Sequence, residues 1–489
     1  MNPQAARTYG HHIAGEIVSS DSVIQRVAPG SGQGVATFAE GTQLDAQRAI
    51  EAARRAFDTG GWPQRGGIDR ARLLNCWADL IEADKERLAR IDAEEVGKPI
   101  RFARGDLEGV VTLTRYAASL ALQIHGETFT DAGPSKMGLV LREPVGVAGL
   151  IVPWNFPALI FSQKVPFALA AGCTVVVKPS EFTSGSALEL VRLAEKAGIP
   201  AGVINVVTGY GNPVAETIVT SPDVDIVSFT GSTETGRKVI RNSADTIKRV
   251  AVELGGKAAN IVFDDADLDA AVDGVVFGIF FNNGECCVSH PRLLVQDTIA
   301  DEFVRRVTEA TRRLVFGDPL DDATDVGPLI HPGHYQKVES LVRQGIEEGA
   351  TVMTGGVPAE GNGSYFPPTV LEGVGRNATL FREEIFGPVL TVTRFRSLDE
   401  AVELANSTQY GLGNSVWSKD IDRCMSVGRK LKSGVVFVNT TIDGQPQYPF
   451  GGYKQSGYGR EMGKYGLEEY TAVKTLSIHL GAREKVMSK

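Results

Sequence analysis

The chain is predicted to fold as α/β, with more than one domain, on three observations. It has 489 residues, more than a single hydrophobic core supports. Four short β-branched runs follow one another in VGVAGLIVPWNF, AGCTVVVKPSE, AGVINVVTG and DIVSFTGS, with helical stretches at 161–171, 186–198 and 212–221 between them. A second alternation runs from about 258 to 440. Short apolar strands separated by helices are the signature of a parallel sheet, so two such sheets are expected.

The N-terminal quarter reads as largely helical. LDAQRAIEAARRAF, residues 44–57, spaces its apolar positions helically with Asp45 as the N-cap, and 68–95 and 101–123 read the same way. In the second alternation, NIVFDDAD and RLLVQ precede a helix at 299–314, an Asp- and Gly-rich loop at 317–328 and a helix at 334–348. PTVLEGV, VLTVTRF and GVVFVNT then read as strands. The tail EEYTAVKTLSIHL is β-prone and suits an edge strand.

Composition narrows the function. Hydrophobic residues are 43% and charged residues 22%, ordinary globular usage. A formal net charge of −9 argues against a nucleic-acid surface, though not against a local basic pocket. No apolar run reaches the ~18 residues of a membrane span, and the first residues lack the basic-then-apolar order of a secretory signal. Five cysteines are too few, and odd in number, for a disulfide framework. A reduced, cytoplasmic enzyme without a membrane partner is expected.

Several stretches carry chemistry. FTGSTETGRKV, 229–239, is a strand, a Gly-Ser turn and a helix start whose free N–H groups suit a phosphate; an ordinary capped turn reads the same. VVVKPSE places Lys178 and Glu181 past a strand end, where a carboxylate can take ribose hydroxyls; a solvated loop is the alternative. VPWNFP holds Asn155 between prolines, as a rigid oxyanion donor or as a left-handed turn residue. VELGGK sets Glu253 at a strand end, where burial would raise its pKa and make it a general base; a surface acid at a turn is the plain reading. FFNNGECCVSH, 280–290, sets Cys286 beside Cys287. No CxxC or nearby HxxxH accompanies them and His290 alone is insufficient, so no metal is expected. A bond between adjacent cysteines is strained. Two inert buried thiols, or one nucleophile exposed by the polar NNGE turn with its thiolate held by helix N–H groups, both stay open.

Taken together and in order, VPWNFP, KPSE, FTGSTETG, ELGGK, the cysteine pair, EEIFGP at 383–388 and PFGGYKQSGYGRE at 449–461 resemble the aldehyde dehydrogenase superfamily of NAD(P)-dependent oxidoreductases. The resemblance runs over essentially the whole chain. It implies a Rossmann-like cofactor domain (1–123 and 145–255), a second α/β catalytic domain (256–448) and a small β oligomerisation arm (124–144 and 470–489). It places Cys287 as nucleophile with Cys286 as bystander, Asn155 and the Cys287 N–H as oxyanion hole, Glu253 as general base, and Lys164 in proton release. NAD contacts would come from Val152, Pro153, Trp154, Lys178, Ser180, Glu181, Gly211, Phe229, Gly231, Ser232, Leu254, Glu384 and Phe386. Glu181 near the ribose 2′-hydroxyl would repel a 2′-phosphate, so NAD is preferred, with NADP still admissible. A homodimer or homotetramer is implied, paired through the arm and the C-terminal strand.

Departures from the family pattern fall around the expected pocket of Phe156, Gln163, Glu285, Cys286, Val288, Asp443 and Phe450. Glu285 precedes the thiol pair, VSHP follows it with His290 and Pro291 expected to reshape the mouth, and Gln163 and Gly444 replace aromatics. Glu285 and Asp443 would add negative charge, which suits a polar, amino- or betaine-type aldehyde. The alternatives are a neutral aliphatic or aromatic aldehyde, thioester resolution by coenzyme A, which Glu253 disfavours, and a cofactor-independent thiol esterase.

Overall fold

The structure, a computed structural model, describes residues 6–357, 363–482 and 487; the outermost residues of the expected first domain and arm, and 358–362 of the second domain, lie outside the described residues.

Two large sheets dominate. The first has eight strands, whose parallel core runs Arg249–Glu253, Ile226–Thr230, Val147–Ile151, Thr174–Lys178, Ile204–Val206 in space. These strands are buried on both faces, which is why they read as continuous β-branched runs. The chain starts at the middle strand, Val147–Ile151, builds outward to one side, then crosses to Ile226–Thr230 on the other. That reversal of direction opens a crevice at the carboxyl ends of those two strands. The second sheet has seven strands, six parallel, with Ala259–Val262 between Arg292–Gln296 and Gly413–Trp417, and with Thr351–Thr354 antiparallel at one edge.

The long helices Gly67–Val96 and Ile100–Leu120 pack against the first sheet's helix Pro157–Ala171. Trp77 and Phe161 meet edge-on in that layer, and Trp77 Nε1 donates to the Leu190 carbonyl, satisfying its polar end. Two separate three-stranded sheets complete the fold, one of Arg7–Tyr9, Gly34–Ala39 and Val23–Val27 and one of Glu127–Phe129, Lys136–Pro144 and Thr471–His479.

Two expectations need correction. The N-terminal quarter is not helical throughout: residues 7–39 carry five short strands, and His11–Ile13 extends the first sheet by pairing antiparallel to Ile204–Val206. Segments of three to six residues are too short to show a period. The first helix, Gln43–Asp58, is capped by Thr42 and not by Asp45. Asp45 is its N3 residue, and its carboxylate accepts from the Thr42 N–H at 2.9 Å in a capping box.

Candidate active site

Strand ends supply most of the site. Val147–Ile151 runs into Val152, Pro153, Trp154 and Asn155, and helix Pro157–Ala171 starts immediately after. Proline at the first helical position needs no N–H partner, so the strand turns into the helix within a few residues and Asn155 is fixed at the corner. Its Nδ2 donates to the Glu285 carbonyl at 2.9 Å. Asn282 Nδ2 donates both to that carbonyl and to the Asn155 carbonyl. The corner and the cysteine loop are therefore stapled together.

The loop itself is built from left-handed residues. Asn282, Asn283 and Gly284 have φ of 51°, 60° and 73°, a conformation that asparagine and glycine tolerate. The NNGE turn is buried, contrary to expectation. Asn283 Nδ2 donates to the carbonyls of Gly97 and Pro328, and its Oδ1 accepts from Gly327 N. Cys286 is buried and Cys287 half-buried. The hydrogen bond with Cys286, burial, and the charges of Cys286, Glu253 and Glu384 all push the Cys287 thiol well above the ordinary value.

Cys287 opens into a cleft of about 210 Å³ with Trp154, Asn155, Gly231, Ser232 and Glu384 on its walls. Pro153, Leu254 and Phe386 line it too. Phe386 holds a φ of 60°, and its ring stands edge-on to Trp154, centroids 5.4 Å apart. Glu384 accepts from the Gly256 N–H at 2.8 Å. A Cβ on Gly255 would lie 2.3 Å from Glu384 Oε2, and one on Gly231 would lie 2.6 Å from the Phe229 ring. Ser232 caps helix Thr233–Ser243, its Oγ accepting from Thr235 N.

Lys178, nearly buried, ends its strand and donates to Glu181 Oε2 at 3.2 Å; Ser180 Oγ donates to the same oxygen at 3.4 Å. Val152 N donates to the Lys178 carbonyl, which ties this pair to the Trp154 corner. Gly211 is exposed, at the start of a short helical turn after the third strand.

Glu253 ends Arg249–Glu253 and is buried, with no hydrogen bond to either carboxylate oxygen. Burial first, then the nearby Glu461 carboxylate, raise its pKa well above the ordinary range, against the pull of Lys164. Lys164 is wholly buried, donates to Ser228 Oγ at 2.7 Å and pairs with Glu461.

Around the thiol pair, Phe156 stacks on Phe281 with centroids 5.8 Å apart. Val288 is buried against Gly413, Gln163 is half-buried, and Phe450 is half-buried where its backbone bridges to Glu461. Asp443 is exposed, next to Ile442, which packs on the cluster containing Cys286 and Cys287.

Two expectations are overturned. Glu285 adds no charge to a mouth: its side chain is wholly buried, accepts from Ile330 N at 2.9 Å and lies 3.7 Å from His334. Burial raises its pKa well above the usual range. His290 does not reshape a mouth either. It is wholly buried between Ser415 Oγ at 2.8 Å and Thr441 Oγ1 at 2.9 Å. Both residues lie in the irregular loop between Gly284 and the strand Arg292–Gln296, where no strand or helix period fixes side-chain direction in advance.

Sequence reasoning missed His334 and Lys337, which reach the cleft from helix Pro332–Glu347, and the Glu461 partner of Lys164. Glu461 stands at the end of a recognised motif, which was the one signal available. The helix pair carried none.

The residues present fit a dinucleotide. Glycines keep the backbone approachable, a capped helix N-terminus faces the cleft, and a Lys–Glu pair sits beyond it. A half-buried thiol, an anchored amide and an orphaned buried carboxylate lie beside that cleft, and the dinucleotide fit gives the class, an oxidoreductase. The chain belongs to the aldehyde dehydrogenase family, whose profile matches residues 17–476. It is 43% identical to the betaine aldehyde dehydrogenase of Bacillus subtilis over 94% of this chain and 96% of that one. It is 42% identical to the NADP/NAD-dependent aldehyde dehydrogenase PuuC of Escherichia coli, over 95% and 94%. An NAD-dependent aldehyde dehydrogenase structure from Sinorhizobium meliloti superposes with a TM-score of 0.98 at 47% identity, covering 99% and 97%. The betaine aldehyde dehydrogenase of Staphylococcus aureus in complex with NAD+ gives 0.96 at 38%, covering 98% and 97%. The activity is NAD(P)-dependent oxidation of an aldehyde. Among the described residues no helix is long and apolar enough to cross a membrane, and no cluster of metal-ligating side chains occurs.

Proposed function

We propose that Cys287 is the nucleophile, Asn155 the oxyanion donor and Glu253 the general base in oxidation of a polar aldehyde of the betaine type to its carboxylic acid. The observation that carries the assignment is the stapled corner. Asn155 Nδ2 spends one N–H on the loop that bears Cys287, which leaves its second N–H fixed relative to the thiol.

The Cys287 thiolate adds to the aldehyde carbon, and charge moves to oxygen. Asn155 and the Cys287 N–H stabilise that charge without reorganising; losing one such donor typically costs about 3 kcal/mol. Bound nicotinamide supplies the acceptor for the hydride that leaves the thiohemiacetal carbon. A thioester to Cys287 results. Glu253, kept basic by burial and by Glu461, takes a proton from water as that water attacks the thioester. Lys164 and Glu461, adjoining Glu253, supply a route for the proton. Glu384 and Phe386 would hold the nicotinamide end, and Lys178 and Glu181 the adenosine ribose, where the Glu181 carboxylate would favour NAD over NADP.

The betaine-type substrate is supported by the names of the Bacillus and Staphylococcus relatives and by exposed Asp443. Glu285 no longer contributes. A panel of aldehydes of matched length, cationic and neutral, followed by NADH absorbance with NAD and NADP in parallel, tests this. Higher kcat/KM for the cationic members, reduced in Asp443→Asn, is expected. Equal values sink the substrate assignment while leaving the oxidation chemistry standing. The cytoplasm is the proposed compartment and a homodimer or homotetramer the proposed assembly.

A further inference from the structure

Beneath the Asn155 corner lies a buried ion pair that the reaction above does not use. Lys98 is wholly buried, and its Nζ donates to Asp106 Oδ2 at 2.5 Å. The same Nζ sits 4.0 Å from the centroid of the Phe156 ring, a cation–π distance. Phe156 directly follows Asn155, and its ring stacks on Phe281, the residue before Asn282. Asp92, also buried, has no hydrogen bond to either oxygen and faces Ser186 and the N–H of Ala158, in the first turn of the helix that begins at Pro157.

The backbone at Lys98 is locked to the cysteine loop as well. Gly97 ends helix Gly67–Val96 with φ of 89°, and its carbonyl accepts from Asn283 Nδ2 at 3.1 Å. Lys98 is in direct contact with Asp106, and the buried carboxyls of Asp92 and Glu285 face the same ammonium. Removing one partner of a buried pair is disruptive, whereas replacing both by apolar side chains of similar volume is often neutral or stabilising, so stability is a weak reason for the pair.

We propose that Lys98 is a positioning residue for the reaction: its ammonium, clamped between Asp106 and the face of Phe156, fixes the Asn155 corner. The proposal rests on the assignment of Cys287 and Asn155 made above. The corner depends on a compact ammonium between Asp106 and the ring, which a planar guanidinium does not reproduce.

The test uses full-length enzyme in a Cys76→Ser background, because Cys76 is the exposed thiol that would confuse alkylation. Three variants are compared: Lys98→Arg, Lys98→Met, and the apolar pair Lys98→Met with Asp106→Leu. Thermal midpoint, kcat, KM for NAD and the pH midpoint of iodoacetamide labelling at Cys287, read by peptide mass spectrometry, are measured. The apolar pair is expected to melt near the parent, keep KM for NAD within about twofold and lose about tenfold to a hundredfold in kcat. Lys98→Arg is expected to lose kcat but keep the labelling midpoint, and it carries the test alone if the Met variants do not fold. An apolar pair with parental kcat, or Lys98→Arg with parental kcat, overturns the proposal. Full activity in Cys287→Ser would instead overturn the catalytic assignment on which it stands.

Discussion

At Cys287 and Glu253 two acids must both lose a proton, and both are held in the protonated form. Cys287 is pushed up first by its hydrogen bond with Cys286 and then by burial, and Glu253 by burial and then by Glu461. A raised pKa means that the active ionisation is populated only as pH rises. Initial rates should therefore fall on the acid side and climb toward alkaline pH. In Glu253→Gln, hydrolysis of the thioester should become limiting and the limb belonging to the base should vanish from kcat. A kcat profile in that variant that overlays the parent would remove Glu253 from the mechanism. Asn155→Ala should lower kcat by about 10²–10³ with little change in KM for NAD. His290 titrates for a different reason. Its ring is neutral between two hydroxyls, and burial lowers its pKa from 6.5 to about 3. The unfolded state then binds a proton more readily than the folded one. Stability contributed by the neutral ring is present above 6.5 and is lost as pH falls toward 3, at about 1.4 kcal/mol per unit. Urea midpoints across that range should drop steeply, and less steeply in His290→Gln. Parallel curves would show that His290 does not govern the acid limb.

At the scale of elements, the site depends on how strands end. Ile226–Thr230 stops at Gly231, and helix Thr233–Ser243 begins under the Ser232 cap. A methyl on Gly231 would meet the Phe229 ring at 2.6 Å, so Gly231→Ala must move the ring or the turn, and both border the cleft. NADH fluorescence titration should show binding weakened by about tenfold, roughly 1.4 kcal/mol, and Ser232→Ala weakened less, in line with the loss of one cap. Unchanged affinity in both would mean that the dinucleotide does not lie on this helix. These turns were legible because β-branched runs stopping at Pro, Lys or Gly mark strand ends in a parallel sheet, and the catalytic sets sit there. What sequence could not supply was direction. Glu285 and Cys287 are two residues apart, yet the left-handed run at Asn282–Gly284 turns Glu285 toward Ile330 while Cys287 meets the cleft. The strands of residues 7–39 were hidden by their shortness, and Lys98 by lying nearly two hundred positions from the loop it supports.

At the scale of the whole molecule, the three-stranded sheet of Glu127–Phe129, Lys136–Pro144 and Thr471–His479 contributes no residue to the cleft that holds Cys287. Thr471–His479 pairs along nine residues with Lys136–Pro144 and is the last strand in its sheet. Its other edge therefore presents unpaired N–H and C=O groups. Soluble proteins blunt such edges with charge, proline or brevity. This strand is long, lacks proline, and exposes Val473 and Leu476, while Leu141 and Phe129 are exposed on its neighbours. An uncovered edge of that kind is a template for aggregation, and edge-to-edge pairing with a second copy satisfies its backbone groups and covers its apolar side chains together. Light scattering at micromolar concentration should therefore return the mass of a dimer or tetramer. Val473→Asp combined with Leu476→Asp should shift it toward the monomer, because each copy would then bring unpaired carboxylates to the same junction. The site lies elsewhere in the chain, so the dissociated variant should still bind NADH. A parent enzyme that runs as a monomer, or a double variant that keeps the parental mass, would show that this edge is covered by something other than a copy of itself.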